Sequence, residues 1–202
     1  MLLLGTANRK KGLELAHLLS PVGVELATLA DFPNPIDVVE DGATFAENAA
    51  KKASQQARHL GQWTLADDSG LAVDTLDGAP GVLSARYAGL DATDALNNEK
   101  LLEALRGVPL DRRTAQFVCH ICVSDPAGVI RAESHAACHG RILFALEGSG
   151  GFGYDPLFEI VEYHRTFGVL SPVVKSYLSH RARAARRLIP PLIELADSGE
   201  LK

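Results

Sequence analysis

An unbroken apolar run, LLL at 2–4, is followed by a polar stretch and then by apolar positions 15, 18 and 19. The run reads as a buried strand over 2–6 and the later spacing as one face of a helix, a strand–loop–helix unit. VELATL at 24–29 reads as a second strand, and the Pro-rich FPNPID as a connection. Thr44 and Glu47 in TFAENAAKKASQQARHL have the spacing of a capping box, so a helix starts there. WTLA at 63–66 reads as a short strand ending at Asp67 and Asp68, which places both at its carboxyl end, where open α/β sheets usually bind ligands. AQFVCHICVS and VIRAESHAACHGRI flank DPAG at 125–128, a turn sequence, and predict an antiparallel hairpin in a mixed sheet. SHRARAARRLI reads as a last helix that Pro190 and Pro191 stop or restart.

Composition narrows the class. The chain has 202 residues, 47% hydrophobic and 22% charged, with no repeat, low-complexity tract or polar linker, which predicts a single domain over 1–202. A net charge of −5 argues against a general nucleic-acid binder and for small-molecule partners. The apolar start is too short for a signal peptide's core and no stretch reaches transmembrane length, so the expectation is a cytoplasmic protein with no membrane partner. Cys119, Cys122 and Cys138 are an odd count, which disfavours a disulfide framework. Two cysteines three apart on a strand face opposite ways, which disfavours a zinc site.

Four stretches carry candidate chemistry. GTANRKK puts Thr6, Asn8 and Lys11 at a helix amino-terminus, whose free N–H groups and positive dipole end suit phosphate; the plain alternative is an ordinary cap and a solvated lysine. VVEDGATF and LADDSGL supply Glu40, Asp41, Asp67 and Asp68, ionised at neutral pH and of the kind that holds Mg²⁺ with help from substrate phosphates. A turn accounts for one acidic residue after a buried strand more easily than for two. EGSGGFGYDP at 147–156 offers close backbone approach and a ring, Phe152 or Tyr154, to stack on a base. KSYLSHR at 175–181 clusters Lys, His and Arg, otherwise a solvated basic helix face. One ligand meets all four requirements, a metal-bound polyphosphate attached to something planar.

In order, TANRKK, VEDGATFAENAAKKA, ADDSGLAVDTLDGAPGVLSARYAG, GGFGYDPLF and KSYLSHR resemble the inosine triphosphate pyrophosphatase or Ham1-like family over almost the whole chain. The resemblance implies two lobes on a long mixed sheet flanked by helices, an active site in the cleft, a homodimer and Mg²⁺. It implies hydrolysis of ITP, dITP and XTP to monophosphate and pyrophosphate, which removes deaminated purines from the nucleotide pool. By position, Thr6, Ala7, Asn8, Arg9, Lys10 and Lys11 match the triphosphate loop, and Lys52 a further phosphate contact. Glu40 and Asp68 match the metal ligands, Asp68 also the proton acceptor, and Ser69 a substrate contact. Phe152, Gly153, Tyr154 and Asp155 match the nucleobase loop, completed by Lys175, His180 and Arg181.

Three features depart from the family pattern: Gly168 and Val169 where an Ala-Glu pair is frequent, Pro190-Pro191 in the last helix, and Ala7 where Gly is frequent. His180 and Arg181 can donate to the 6-oxo group of inosine or xanthosine, whereas the 6-amino group of adenosine leaves donors facing each other. Two rivals are a broader diphosphatase acting on modified pyrimidine triphosphates, and a nucleotide- or RNA-binding module using the Arg-rich last helix. The second gives the paired acidic loops no work.

Overall fold

Leu2–Leu4 form strand β1 in a computed structural model that describes residues 1–201. The further strands are β2 (Leu26–Thr28), β3 (Thr64–Val73), β4 (Thr114–Ser124), β5 (Ile130–Ile142), β6 (Phe158–Ile160) and β7 (Arg165–Thr166). The helices are α1 (Arg9–Leu19), α2 (Phe45–Leu60), α3 (Asp94–Ala104), α4 (Pro172–Leu178) and α5 (His180–Asp197). The strands make one sheet in the order β2-β1-β3-β4-β5-β6-β7. It is mixed, because β1 pairs in parallel with β2 and β3 while β6 pairs antiparallel with β5 and β7. Among the described residues no helix is long and apolar enough to cross a membrane.

β3 is longer than the short strand read from WTLA. Its parallel register with β1 ends at Leu4↔Leu65, but β4 is its other neighbour and the strand persists to Val73. Asp67 and Asp68 therefore lie inside a strand, just past the end of β1, rather than in a loop. The DPAG turn behaves as its sequence predicts. Asp125 N–H donates to Val129 O at 3.0 Å, Asp125 Oδ1 accepts from the N–H groups of Ala127 and Val129, and so short a connection joins only antiparallel strands.

The last helix corrects the reading of Pro190 and Pro191, because α5 runs through both to Asp197. Each proline removes an N–H that would bond four residues back, freeing the carbonyls of Arg186 and Arg187. Both residues are exposed, so water can take those carbonyls, while Leu188 and Leu192 on either side are fully buried and hold the helix down.

The chain divides into two compact units. Unit 1 comprises Met1–Asp68, Cys119–Ala136 and the chain from Arg181 on. Its main core joins Leu2, Leu4 and Leu65 of the sheet to Leu15 and Leu19 of α1 and Leu188 and Leu192 of α5. A second cluster sets Ala49 and Ala53 of α2 against Ala66 and Cys122. Cys119 belongs to the first and Cys122 to the second, so the thiols of CHIC face opposite sides as strand alternation requires.

Unit 2 comprises Ser69–Val118 and Ala137–His180. Its core holds Leu101, Phe117, Tyr154, Phe158 and Phe167. Buried Arg113 ties the end of α3 down by donating to Leu105 O at 2.7 Å, Val108 O at 3.1 Å and Leu143 O at 2.8 Å. Arg113→Met should take the guanidinium donors from those three carbonyls and cost about 3 kcal/mol, measured as a lower urea midpoint; an unchanged midpoint would contradict this.

Candidate functional site

Side-chain alternation on β3 separates the two aspartates. Leu65 lies in the core under α1 and α5, and Ala66 in the cluster under α2, so Asp67 follows the first face and Asp68 the second. Their neighbours agree. Asp67 Oδ2 is 3.2 Å from Arg181 Nε, 3.6 Å from Lys11 Nζ and 3.9 Å from the Cys119 thiol, side chains from α5, α1 and β4. Asp68 takes Asn48 Nδ2 on Oδ2 at 3.2 Å and Lys52 Nζ by Oδ1 at 3.3 Å, both from α2.

The charges of the pair differ in the same way. Burial would raise the Asp67 carboxyl, but Lys11, Arg181 and Lys52 more than reverse it and hold the group well below the usual carboxylate range. Burial also acts first on Asp68, with Glu40 adding to it, and there Lys52 and Lys11 do not compensate, so its carboxyl is raised. Asp67 is a fixed anion. Asp68 holds its proton more readily than an ordinary carboxylate, as a proton acceptor needs.

Lys52 collects the acidic loop as well. Its ammonium is 2.8 Å from Glu40 Oε2 and 3.3 Å from Asp68 Oδ1, so two carboxylates share one cation. The loop is held from α2 too: Asn48 Oδ1 accepts from Gly42 N–H at 2.8 Å, and a Cβ on Gly42 would stand 2.6 Å from that oxygen. Thr44 caps α2 by accepting from Glu47 N–H at 3.1 Å. The Glu47 carboxylate accepts from Ala43 N–H, one residue earlier than a strict capping box. Asp41 pairs with Lys51 at the surface.

At the first loop, Asn8 caps α1 by accepting from Lys11 N–H at 3.1 Å, and Thr6 Oγ1 accepts from Asn8 N–H at 3.2 Å. Ala7, Arg9 and Lys10 are exposed. Thr6 and Asn8 are thus ordinary caps, whereas Lys11 is not a solvated charge but lies beside Asp67. Arg181, matched to the base pocket, lies in unit 1 almost wholly buried, with Nη1 2.5 Å from Glu14 Oε2 and Nε on Asp67.

Unit 2 carries Ser69 and Phe152, Gly153, Tyr154 and Asp155, the residues that the resemblance matches to a nucleobase loop. Tyr154 is a core residue whose hydroxyl donates to Ser84 O at 2.8 Å, so of the two rings considered for stacking only Phe152 is partly exposed. Phe152 has the Lys175 ammonium 4.6 Å from its ring centroid. Lys175 and Asp155 form a buried ion pair at 2.6 Å, and Asp155 Oδ2 also accepts from Phe152 N–H. His180 stacks on Phe117, centroids 4.8 Å apart.

Asn48 and Glu14 escaped the sequence reading, though each had a signal. Asn48 precedes Lys52 by four residues and Glu14 follows Lys11 by three, so each shares a helix face with a candidate residue. Among the described residues no three His, Cys, Asp or Glu side chains converge as a ligand set. Glu40 and Asp68 supply two hard oxygen donors, the usual protein share for Mg²⁺.

Comparison with known proteins places these motifs in context. A family model described as Ham1 family matches residues 2–190. The chain is 57% identical over 197 residues to the dITP/XTP pyrophosphatase of Rhodopirellula baltica, covering 98% of this chain and 95% of that protein. It is 49% identical to the protein of the same name in Desulforamulus reducens, covering 96% of each. Similar solved structures include a HAM1 protein from Coxiella burnetii (TM-score 0.87, 37% identity, 96% of this chain and 98% of that one). Another is the nucleoside-triphosphatase or dITP/XTP pyrophosphatase of Mycobacterium abscessus (TM-score 0.77, 41% identity, 95% and 98%).

Proposed function

The chain belongs to the Ham1 family, and from that premise we propose that it hydrolyses dITP, ITP and XTP to the nucleoside monophosphate and pyrophosphate. The observation that carries the reading is the opposed environment of two neighbouring carboxylates, one a fixed anion beside Lys11 and one a raised carboxyl beside Glu40 and Lys52. Water attacks the α-phosphorus, the new P–O bond forms as the bond to the bridging oxygen breaks, and pyrophosphate leaves. Asp68 accepts the water's proton. Lys11 and Lys52 stabilise the departing oxygens, and the capped turn at Thr6–Lys11 receives the phosphates.

Glu40 and Asp68 would hold Mg²⁺, whose oxygen preference they fit. When bound, the ion supplies positive charge against the phosphate oxygens. Phe152 stacks on the base, with Gly153, Tyr154 and Asp155 shaping the loop. Lys175 and His180 serve the base pocket as donors and Ser69 adds a substrate contact, with Arg181 matched to the same pocket by motif position. The same reading takes a homodimer as the assembled form and the cytoplasm as the place of work.

The test is pyrophosphate release from dITP, XTP, dATP and dUTP, with and without Mg²⁺. Rapid release from dITP and XTP with Mg²⁺, and slow release from dATP and dUTP, is the expected pattern. Equal release from dUTP, or single phosphate as product, would overturn it.

A further inference from the structure

Gly153 sits between Phe152 and Tyr154 with φ +60°, a left-handed conformation that glycine adopts without strain. Both of its polar backbone groups are taken by α3. Its N–H donates to Asp94 Oδ2 at 2.8 Å, and its carbonyl accepts from Asn98 Nδ2 at 2.9 Å. Asp94 and Asn98 are four residues apart, hence on one helix face. One residue earlier, Phe152 N–H donates to Asp155 Oδ2 at 2.7 Å. The peptides on either side of Phe152 are therefore both anchored, and with them the direction of its ring.

The two anchors on α3 differ in kind. Asp94 is exposed in the first turn, whereas Asn98 is buried and its Oδ1 accepts no hydrogen bond. Replacing Asn98 by a similar apolar side chain thus removes the donor to Gly153 O without stranding another partner. Asn97 does comparable work on the adjoining segment, accepting from Ala88 N–H and donating to Ala85 O.

We infer that Asp94 and Asn98 are positioning residues for base recognition: by gripping the N–H and the carbonyl of Gly153, in the two peptides that follow Phe152, they set the pose of the Phe152 ring. The inference rests on the proposed function, in which Phe152 stacks on the base. Neither residue touches substrate; both act through Gly153. Their loss loosens the ring's direction and weakens binding of the base, while Asp68, Glu40 and Lys52 in unit 1 keep their own contacts.

The test compares Asp94→Ala, Asp94→Asn and Asn98→Leu with the unmodified full-length protein. It uses pyrophosphate release from dITP with Mg²⁺, thermal melting, and amide hydrogen exchange of residues 148–155 without nucleotide. Asp94→Ala and Asn98→Leu should each raise the KM for dITP by about tenfold, the share of one hydrogen bond, with kcat within about twofold. Asp94→Asn keeps an acceptor for Gly153 N–H and should restore the parent KM. Exchange at 148–155 should speed up in Asp94→Ala and Asn98→Leu only. Unchanged KM and exchange, or parallel losses of kcat and melting temperature with KM unmoved, would overturn the inference. Should the parent release no pyrophosphate from any purine triphosphate, the proposed function fails while the exchange rates still decide whether α3 holds the loop.

Discussion

Asp68→Asn should lower turnover of dITP at saturating Mg²⁺ by about 10²- to 10⁴-fold, the usual contribution of a positioned proton acceptor, while leaving the protein as stable as before or slightly more so. The activity loss follows from its place between Asn48 and Lys52, with Glu40 on the same ammonium. The stability half follows from the sign of its shift. Burial raises the Asp68 carboxyl, so the fold disfavours the ionised form relative to the unfolded chain at neutral pH. A neutral amide removes that penalty, which offsets its own cost: with its oxygen accepting from Asn48, its NH2 faces the Lys52 ammonium, which keeps Glu40 as its anion. Pyrophosphate release and a melting curve on one sample measure both halves, and near-normal turnover would remove Asp68 from the proton-accepting role.

Its neighbour should give the opposite result. Asp67→Leu should cost about 3 to 5 kcal/mol, because it takes from buried Arg181 and from Lys11 the carboxylate between them, while Glu14 stays on Arg181. For a chain of this size that corresponds to a melting temperature lower by roughly 6 to 20 °C. The Asp67 carboxyl is held below its ordinary value, so its stabilisation is fully present above the unfolded carboxylate pKa of about 3.9 and declines as pH falls below it. Asp67→Asn should flatten that acid limb of the stability curve. Urea midpoints between pH 3 and 7 measure it, and equal slopes for parent and variant would show that Arg181 and Lys11 do not depend on this carboxylate.

The pair also marks how far residue patterns carry. Local rules placed much of the frame, because strand runs, the Thr44 cap and the DPAG turn act over a few residues. The strand carrying the aspartates outruns what WTLA predicts, since its persistence past β1 depends on β4, some fifty residues away in the chain. The double proline misled for a similar reason. Its local penalty is real, but Leu188 and Leu192 are buried by partners elsewhere in the chain and outweigh it.

The site divides along the same line. Ordered motifs identified the family and nominated Glu40, Lys52, Asp68 and the Phe152 loop. By position they selected Asp68 over Asp67, a choice that strand alternation alone does not make, since it says only that neighbours face apart. What only the packed chain supplies is the environment of each carboxylate, Arg181 and Lys11 over Asp67, and Asn48 and Lys52 over Asp68. No spacing rule links Asp94 and Asn98 to Gly153 across more than fifty residues. Residue types and short spacings settle which chemistry the chain can hold; the charge state and aim of each group depend on burial and partners that exist only once distant segments have packed.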